Sequence, residues 1–124
     1  MEQRLIDLSG LVAESGVRFG TSGAHGLVQD MSAPVCRAFA LALLQEVVPQ
    51  ARRVVLGHDL RPSSPAIARA CMSAALERGV EVIFAGALPT PALAAYALDQ
   101  RLPAIVVTGS HIPFDRNGIK FYTA

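Results

Sequence analysis

Helical and strand-like apolar segments alternate along the middle of this chain, and the alternation restricts the folds open to it. Apolar residues spaced by three and four predict a helix over about 33–48, and the β-branched run at 53–57 predicts a buried strand. The pattern continues with a helix from Ser63 or Ser64 to Gly79, a strand at 80–84, a helix at about 91–99 and a strand at 104–108. It predicts an α/β fold of three layers, α/β/α, with a mixed, mostly parallel sheet of about four strands.

The two ends of this pattern carry different signals. Residues 17–26 are rich in glycine and hydroxyl groups, which favours a turn-rich connection. Asn117-Gly118 predicts a turn, followed by an edge strand over 118–122. We expect one domain over residues 1–124, with residues 1–16 as an N-terminal extension.

Composition narrows the class of protein. The 124 residues are 52% hydrophobic and 17% charged, with a net charge of +1. These values predict a soluble globular domain, and they argue against nucleic acid or anionic lipid as a partner. The start of the chain is charged and the apolar stretch at 82–98 contains two prolines, so we expect no signal peptide, no membrane helix and a cytoplasmic location. Cys36 and Cys71 fall among apolar helical residues and are predicted to be core thiols.

Polar loops follow three of the predicted strands. The first begins with His58 and Asp59, the second with Gly86, and the third with Gly109, Ser110 and His111. Because ligands of open α/β sheets bind beyond the carboxyl ends of the strands, we expect these loops to converge on one site.

Ser110 is a candidate nucleophile. A serine hydroxyl needs activation by a base, and His111 and Lys120 are the bases nearby in sequence. The GxSxG motif is absent, which argues against a serine hydrolase. The alternative is that Ser110 and His111 only shape a polar loop.

Two further motifs indicate anion binding. The segment FGTSGAHG at 19–26 frees backbone N–H groups to bind phosphate, although it matches neither the P-loop nor GxGxxG. Arg61 is suited to a forked contact with phosphate or carboxylate, and Asp59 is suited to fixing a neighbouring loop. Ser63 and Ser64 are predicted to cap the following helix. The three histidines show no metal-ligand spacing.

Taken together, RFGTSGAHGLV, VVLGHDLRPSS and VVTGSHIPFDRNGIKFY resemble the first domain of the α-D-phosphohexomutases, the phosphoglucomutase and phosphomannomutase superfamily. The resemblance implies that Ser110 is a phosphoserine that exchanges its phosphoryl group with a phosphorylated hexose and its bisphosphate. His111 and Lys120 then serve proton transfer. A phosphate oxygen on Ser110 would complete a Mg²⁺ site. The resemblance implies phosphate or substrate contacts at Thr21, Ser22, His25, Arg61 and Asn117.

This sequence departs from the family pattern in three respects. His25 stands where the family commonly has arginine, and Ile112 where it commonly has asparagine. The aspartate-rich magnesium loop and domains II to IV of the family have no counterpart in these residues, so we expect a fragment without turnover of its own. A surface meant for domain II would then allow self-association. The alternative function is a non-catalytic module that binds phosphate or a partner.

Overall fold

A computed structural model of the protein describes residues 18–20, 23–109 and 115–122. This part of the chain forms one six-stranded sheet with helices on both of its faces. Its helices are α1 (Ala33–Glu46), α2 (Ser64–Glu77) and α3 (Thr90–Gln100). Its strands are β1 (Arg18–Gly20), β2 (Gly23–Leu27), β3 (Arg53–His58), β4 (Glu81–Ala87), β5 (Ala104–Val107) and β6 (Arg116–Tyr122). The α/β class is confirmed, and the predicted helices and inner strands lie within a few residues of their expected bounds.

The strands run in the order β1-β2-β6-β5-β3-β4. β3 is parallel to β4 and β5, whereas β6 is antiparallel to β5 and β2, and β2 is antiparallel to β1. The sheet is therefore mixed, as predicted, but it has six strands where about four were expected. Antiparallel pairs outnumber parallel ones by three to two, so the expectation of a mostly parallel sheet was wrong.

The unexpected strands come from the glycine-rich segment near residue 20. Residues 18–20 pair with residues 23–25, and β2 also pairs with β6 along its whole length. Local propensity favours a turn-rich connection there, yet a neighbouring strand edge pairs with any backbone that can extend. Asn117 and Gly118 likewise lie inside β6, opposite Gly26 and His25, and do not form the predicted turn.

The two faces of the sheet are covered unequally. On the two-helix face, α1 and α2 pack on Leu56, Val107 and Ile119 in the larger core. On the one-helix face, α3 buries Leu93 and Ala97 against three residues of the sheet. Together these layers confirm the predicted α/β/α arrangement.

A glycine permits the close approach of α3. A Cβ at Gly57 would overlap the Cδ1 of Leu93 and would lie 3.2 Å from the carbonyl oxygen of Gly86. Leu93 is fully buried, so a methyl group at residue 57 would force its side chain or α3 to shift. The absence of a side chain at residue 57 thus allows α3 to pack against β3.

Residues of the two-helix face fit the sequence analysis closely. The Ser32 hydroxyl caps α1 by accepting a hydrogen bond from the Val35 N–H at 3.4 Å. Cys36 and Cys71 are buried free thiols, and burial raises the pKa of Cys36 to about 12. In the described ranges, no helix is both long enough and apolar enough to cross a membrane.

Candidate functional site

The carboxyl ends of β3 and β5 bring together two loops that are 50 residues apart in sequence. The backbone N–H of Asp59 donates to the carbonyl of Val107 at 2.9 Å, which fixes the first loop beside the end of β5. The Gly109 N–H in turn donates to the Oδ2 of Asp59 at 2.9 Å. This bond confirms the prediction that Asp59 fixes a neighbouring loop, the one that continues into Ser110.

The Asp59 carboxylate accepts hydrogen bonds at both oxygens. Its Oδ2 receives the Gly109 N–H and lies 3.3 Å from the Nε of Arg61. Its Oδ1 receives the backbone N–H of Arg61 at 3.1 Å and the hydroxyl of Ser64. The side chain is one-quarter exposed, so one edge still meets solvent.

These contacts change the acidity of Asp59. Partial burial alone would raise the pKa of its carboxyl group. The Ser64 hydroxyl, the N–H groups of Gly109 and Arg61 and the Arg61 charge oppose this effect, and together they hold the pKa below its ordinary value. The group is therefore a carboxylate at neutral pH.

Arg61 connects the two ends of the loop that contains Ser110. The residue is only 9% exposed, and its Nη1 donates to the carbonyl of Arg116 at 3.2 Å. A Cβ at residue 109 would overlap the Nε and Cζ of Arg61, so the guanidinium lies directly against Gly109. Glycine at this position is what lets Arg61 reach both Asp59 and Arg116.

Asn117 links the same loop to the start of α2. It is fully buried, and its Nδ2 donates to the hydroxyls of Ser63 at 2.8 Å and Ser64 at 2.9 Å. Its Oδ1 accepts from the Gly118 N–H at 2.8 Å. Ser63 occupies the N-cap position of α2 without a side-chain capping bond, so the prediction that it caps the helix was wrong.

We call this set of hydrogen-bonded residues the polar cluster. Its members are Asp59, Arg61, Ser63, Ser64, Gly109 and Asn117.

The similarity of the whole chain to known proteins agrees with this geometry. Residues 16–124 match the family described as "Phosphoglucomutase/phosphomannomutase, alpha/beta/alpha domain I". The chain belongs to this family. The resemblance seen in the three motifs is thereby confirmed over nearly all of the sequence.

Relatives of this mutase domain include curated enzymes and solved structures. It is 50% identical to a phosphomannomutase of Salmonella muenchen over 90% of its own length and 24% of the relative's. It is 37% identical to a phosphoglucosamine mutase of Desulforudis audaxviator, over 88% of this chain and 25% of the relative. A phosphoglucomutase/phosphomannomutase family protein of Burkholderia thailandensis superposes with a TM-score of 0.70 and 30% identity, over 81% of this chain and 24% of that one. The mutase domain thus spans about a quarter of the length of these relatives.

The structure places three of the site residues predicted for the mutase domain. Arg61 and Asn117 belong to the polar cluster, on the side of α2. Lys120 is half-buried in β6 and lies opposite Val106, a residue of the one-helix core. Directly opposed residues share a face, so Lys120 projects from the face opposite to Asn117.

The other predicted site residues lie outside what the structure describes. These are Thr21, Ser22, Ser110 and His111, together with Ile112 and the side chain of His25. The backbone of His25 is described, and it pairs with Gly118 in the sheet.

Sequence reasoning missed two contributors, Ser64 and Gly109. Ser64 was assigned to helix capping, although the spacing of Asp59, Arg61, Ser63 and Ser64 in one loop indicated a shared site. Gly109 was identified only as the first residue of the third polar loop. Its contact with Arg61 depends on a fold that brings residues 61 and 109 together.

A cavity of about 480 Å³ opens beside the polar cluster. Its lining is Val28, Leu60, Pro62, Ser63 and Asp115. Among the described residues, this lining includes the carboxylate of Asp115 and no cationic side chain.

The described residues do not suit a magnesium ion by themselves. Among residues 18–20, 23–109 and 115–122, no three side chains of histidine, cysteine, aspartate or glutamate group together as metal ligands. Asp59 already has its oxygens engaged by donors from three residues.

Proposed function

We propose that this domain carries the phosphoserine of a phosphohexomutase, with Ser110 as the residue that exchanges a phosphoryl group with hexose phosphates. The observation that carries the proposal is the anchoring of Gly109, the residue before Ser110, at the carboxyl end of β5. That edge is where α/β sheets bind their ligands. The names of the relatives add phosphomannose and phosphoglucosamine as the substrate classes to test first.

The proposed reaction has two balanced halves. In the first, the bond between phosphorus and the Ser110 oxygen breaks while phosphorus bonds to a sugar hydroxyl, and the proton of that hydroxyl passes through a base to the Ser110 oxygen. In the second, the bond between the other phosphorus and its sugar oxygen breaks while phosphorus bonds to the Ser110 oxygen, and the serine's proton passes to the sugar oxygen that is released. His111 and Lys120 are the proposed groups for these proton transfers, which are typically worth about 10²–10⁴-fold in rate.

The remaining predicted residues divide between contact and support. We assign Thr21, Ser22 and His25 to contacts with the sugar phosphate. Arg61 and Asn117 serve the site from inside the protein, because both side chains are buried in the polar cluster. A phosphate on Ser110 would offer one oxygen to the magnesium ion that the resemblance implies, and the described residues supply no cluster of further ligands.

The first test is the covalent state of Ser110. The chain is incubated with a hexose 1,6-bisphosphate and magnesium, and its intact mass is measured over time. We expect one phosphate to appear on the wild type and on the Ser73→Ala control, which alters an exposed serine of α2, but not on Ser110→Ala.

Two outcomes would contradict the proposal. Phosphate that persists in Ser110→Ala would assign the chemistry to another residue. Reversible binding of the bisphosphate with no phosphate on the chain would favour the alternative, a non-catalytic phosphate-binding module. Because this domain spans about a quarter of its relatives, we expect no complete mutase turnover from it alone.

A further inference from the structure

We infer that Asp59 is the positioning residue of this site, which fixes the backbone that leads into Ser110 and takes no part in the chemistry itself. The inference rests on the proposed role of Ser110. It concerns how the serine is presented to its substrate, and it assigns a function to a carboxylate that the reaction does not use.

The first step is that protein groups engage both oxygens of the Asp59 carboxylate. An ionised carboxylate has about four lone-pair positions on its two oxygens. At Asp59, Oδ1 takes the Arg61 N–H and the Ser64 hydroxyl, while Oδ2 takes the Gly109 N–H and faces the Arg61 Nε. A carboxylate held in this way is a poor base and a poor metal ligand, but it is a rigid anchor for the groups that donate to it.

The second step is that Asp59 acts on both ends of the loop between β5 and β6. At the first end it binds the Gly109 N–H directly. At the second end it orients Arg61, whose Nη1 holds the carbonyl of Arg116. The backbones of Gly109 and Arg116, which flank residues 110–115 in sequence, are thus both held through one side chain.

A second relay reaches the same end through α2. The Nδ2 of Asn117 donates to the Ser64 hydroxyl, and that hydroxyl donates its own proton to Asp59. Hydrogen bonds that run in one direction strengthen one another. The negative charge of Asp59 therefore stabilises the whole relay.

All the described groups around the side chain of Asp59 donate hydrogen bonds, so only a carboxylate can accept from all of them. The main test variant is therefore Asp59→Asn. In Asp59→Asn an NH₂ group replaces one carboxylate oxygen. Whichever way the amide is turned, this NH₂ group faces two groups that also donate hydrogen bonds, so it cannot accept from them. The change preserves shape and removes the anchor. Asp99→Asn is the matched control, because Asp99 is an exposed residue of α3 far from the cluster in sequence.

The first readout is amide hydrogen exchange followed by NMR, which does not depend on any chemistry. We expect the Gly109 amide to lose protection in Asp59→Asn while the amide of Ile105, in the centre of β5, keeps it. Equal protection of Gly109 in both proteins would overturn the inference. If Ile105 also loses protection, the variant has lost global stability, and Ser64→Ala replaces it. That variant removes one donor to Asp59 and one of the two hydroxyls that accept from Asn117. Partial loss of protection at Gly109 then supports the inference, and no loss overturns it.

The second readout is the rate at which phosphate from the bisphosphate loads onto Ser110. We expect the maximal rate to fall on the order of 10²-fold in Asp59→Asn, because a small misplacement of a reacting group has effects of that size. The donor concentration at half-maximal rate should stay within about twofold of wild type, since Asp59 does not touch the donor. A change confined to that concentration would contradict a positioning role.

The two proposals fail in different ways. If the wild type never loads phosphate, the proposed function is wrong, and Asp59 does not position a phosphoryl carrier. The hydrogen-exchange data then still show whether Asp59 holds the backbone at Gly109. If wild type and Asp59→Asn load equally fast, Ser110 keeps its role and Asp59 loses the one assigned here.

Discussion

The two faces of the sheet differ in how their side chains are held. On the two-helix face, α1 and α2 bury a large apolar core that also contains Cys36 and Cys71. On the one-helix face, α3 is anchored by Leu93 and Ala97 alone, and seven of its eleven residues are exposed. Global stability therefore resides mainly on the two-helix face, and the one-helix face depends on a few close contacts.

We expect the greatest loss of stability from substitutions in the two apolar cores, and a larger loss in one core than in the other. Leu41 and Leu93 are both buried, so Leu41→Ala and Leu93→Ala remove the same atoms from each face. We expect Leu41→Ala to lower the free energy of unfolding by about 2–5 kcal/mol, as a rigid core leaves a cavity. Leu93→Ala should cost about 2 kcal/mol, because α3 has solvent on its outer side and can settle inward. Urea denaturation measures both, and equal losses would break the comparison.

The next effect tests how tightly α3 sits on the sheet. In Gly57→Ala the new methyl group overlaps Leu93, so we expect a loss of about 1–3 kcal/mol from overpacking. The same substitution made in Leu93→Ala should cost much less, since the space is then free. Thermal or urea denaturation of the wild type, the two single variants and the double variant gives the coupling energy between residues 57 and 93. Strict additivity would show that α3 does not rest on Gly57.

The smallest effect concerns the polar end of the two-helix face. The folded state holds the pKa of Asp59 below its ordinary value, which is about 3.9 for aspartate. Its contribution to stability is therefore present at neutral pH and is lost as the pH falls through the folded-state pKa. We expect Asp59→Asn to be less stable than wild type at pH 7, with a difference that shrinks in acid. The pH-dependent part of this difference is small because solvent reaches one-quarter of the side chain.

The measurement for Asp59 is the urea midpoint of both proteins from pH 7 down to pH 2. Asp99→Asn provides the baseline for removing an exposed carboxylate. A difference between wild type and Asp59→Asn that grows on acidification would mean that the sign of the pKa shift is wrong.

The sequence predicts the part of this fold that local patterns determine. Between residues 33 and 108, the spacing of apolar residues shows which segments are helices and which are strands. This spacing is visible within a short stretch of sequence. The pairing of β2 with β6 joins residues about 95 positions apart, so no such stretch could reveal it. The antiparallel half of the sheet was missed for this reason.

For the candidate site too, the sequence predicts some features and not others. Its location after β3 and β5 was predictable, because the topology of an α/β fold determines which loops meet. The hydrogen-bond partners of Ser63 and Ser64 were not predictable, because a serine at the start of a helix is expected to cap that helix. Asn117, which lies 54 and 53 positions further along the chain, engages both hydroxyls.

The strand order also has a consequence for how the molecule is made. β6, the latest of the six strands in sequence, lies between β2 and β5 in the sheet. Within the described sheet, β1 and β2 are synthesised before the other four strands, yet the strand that joins them to the rest of the sheet is the last of the six. During translation, this hairpin therefore cannot pair with the rest of the sheet until β6 has been synthesised.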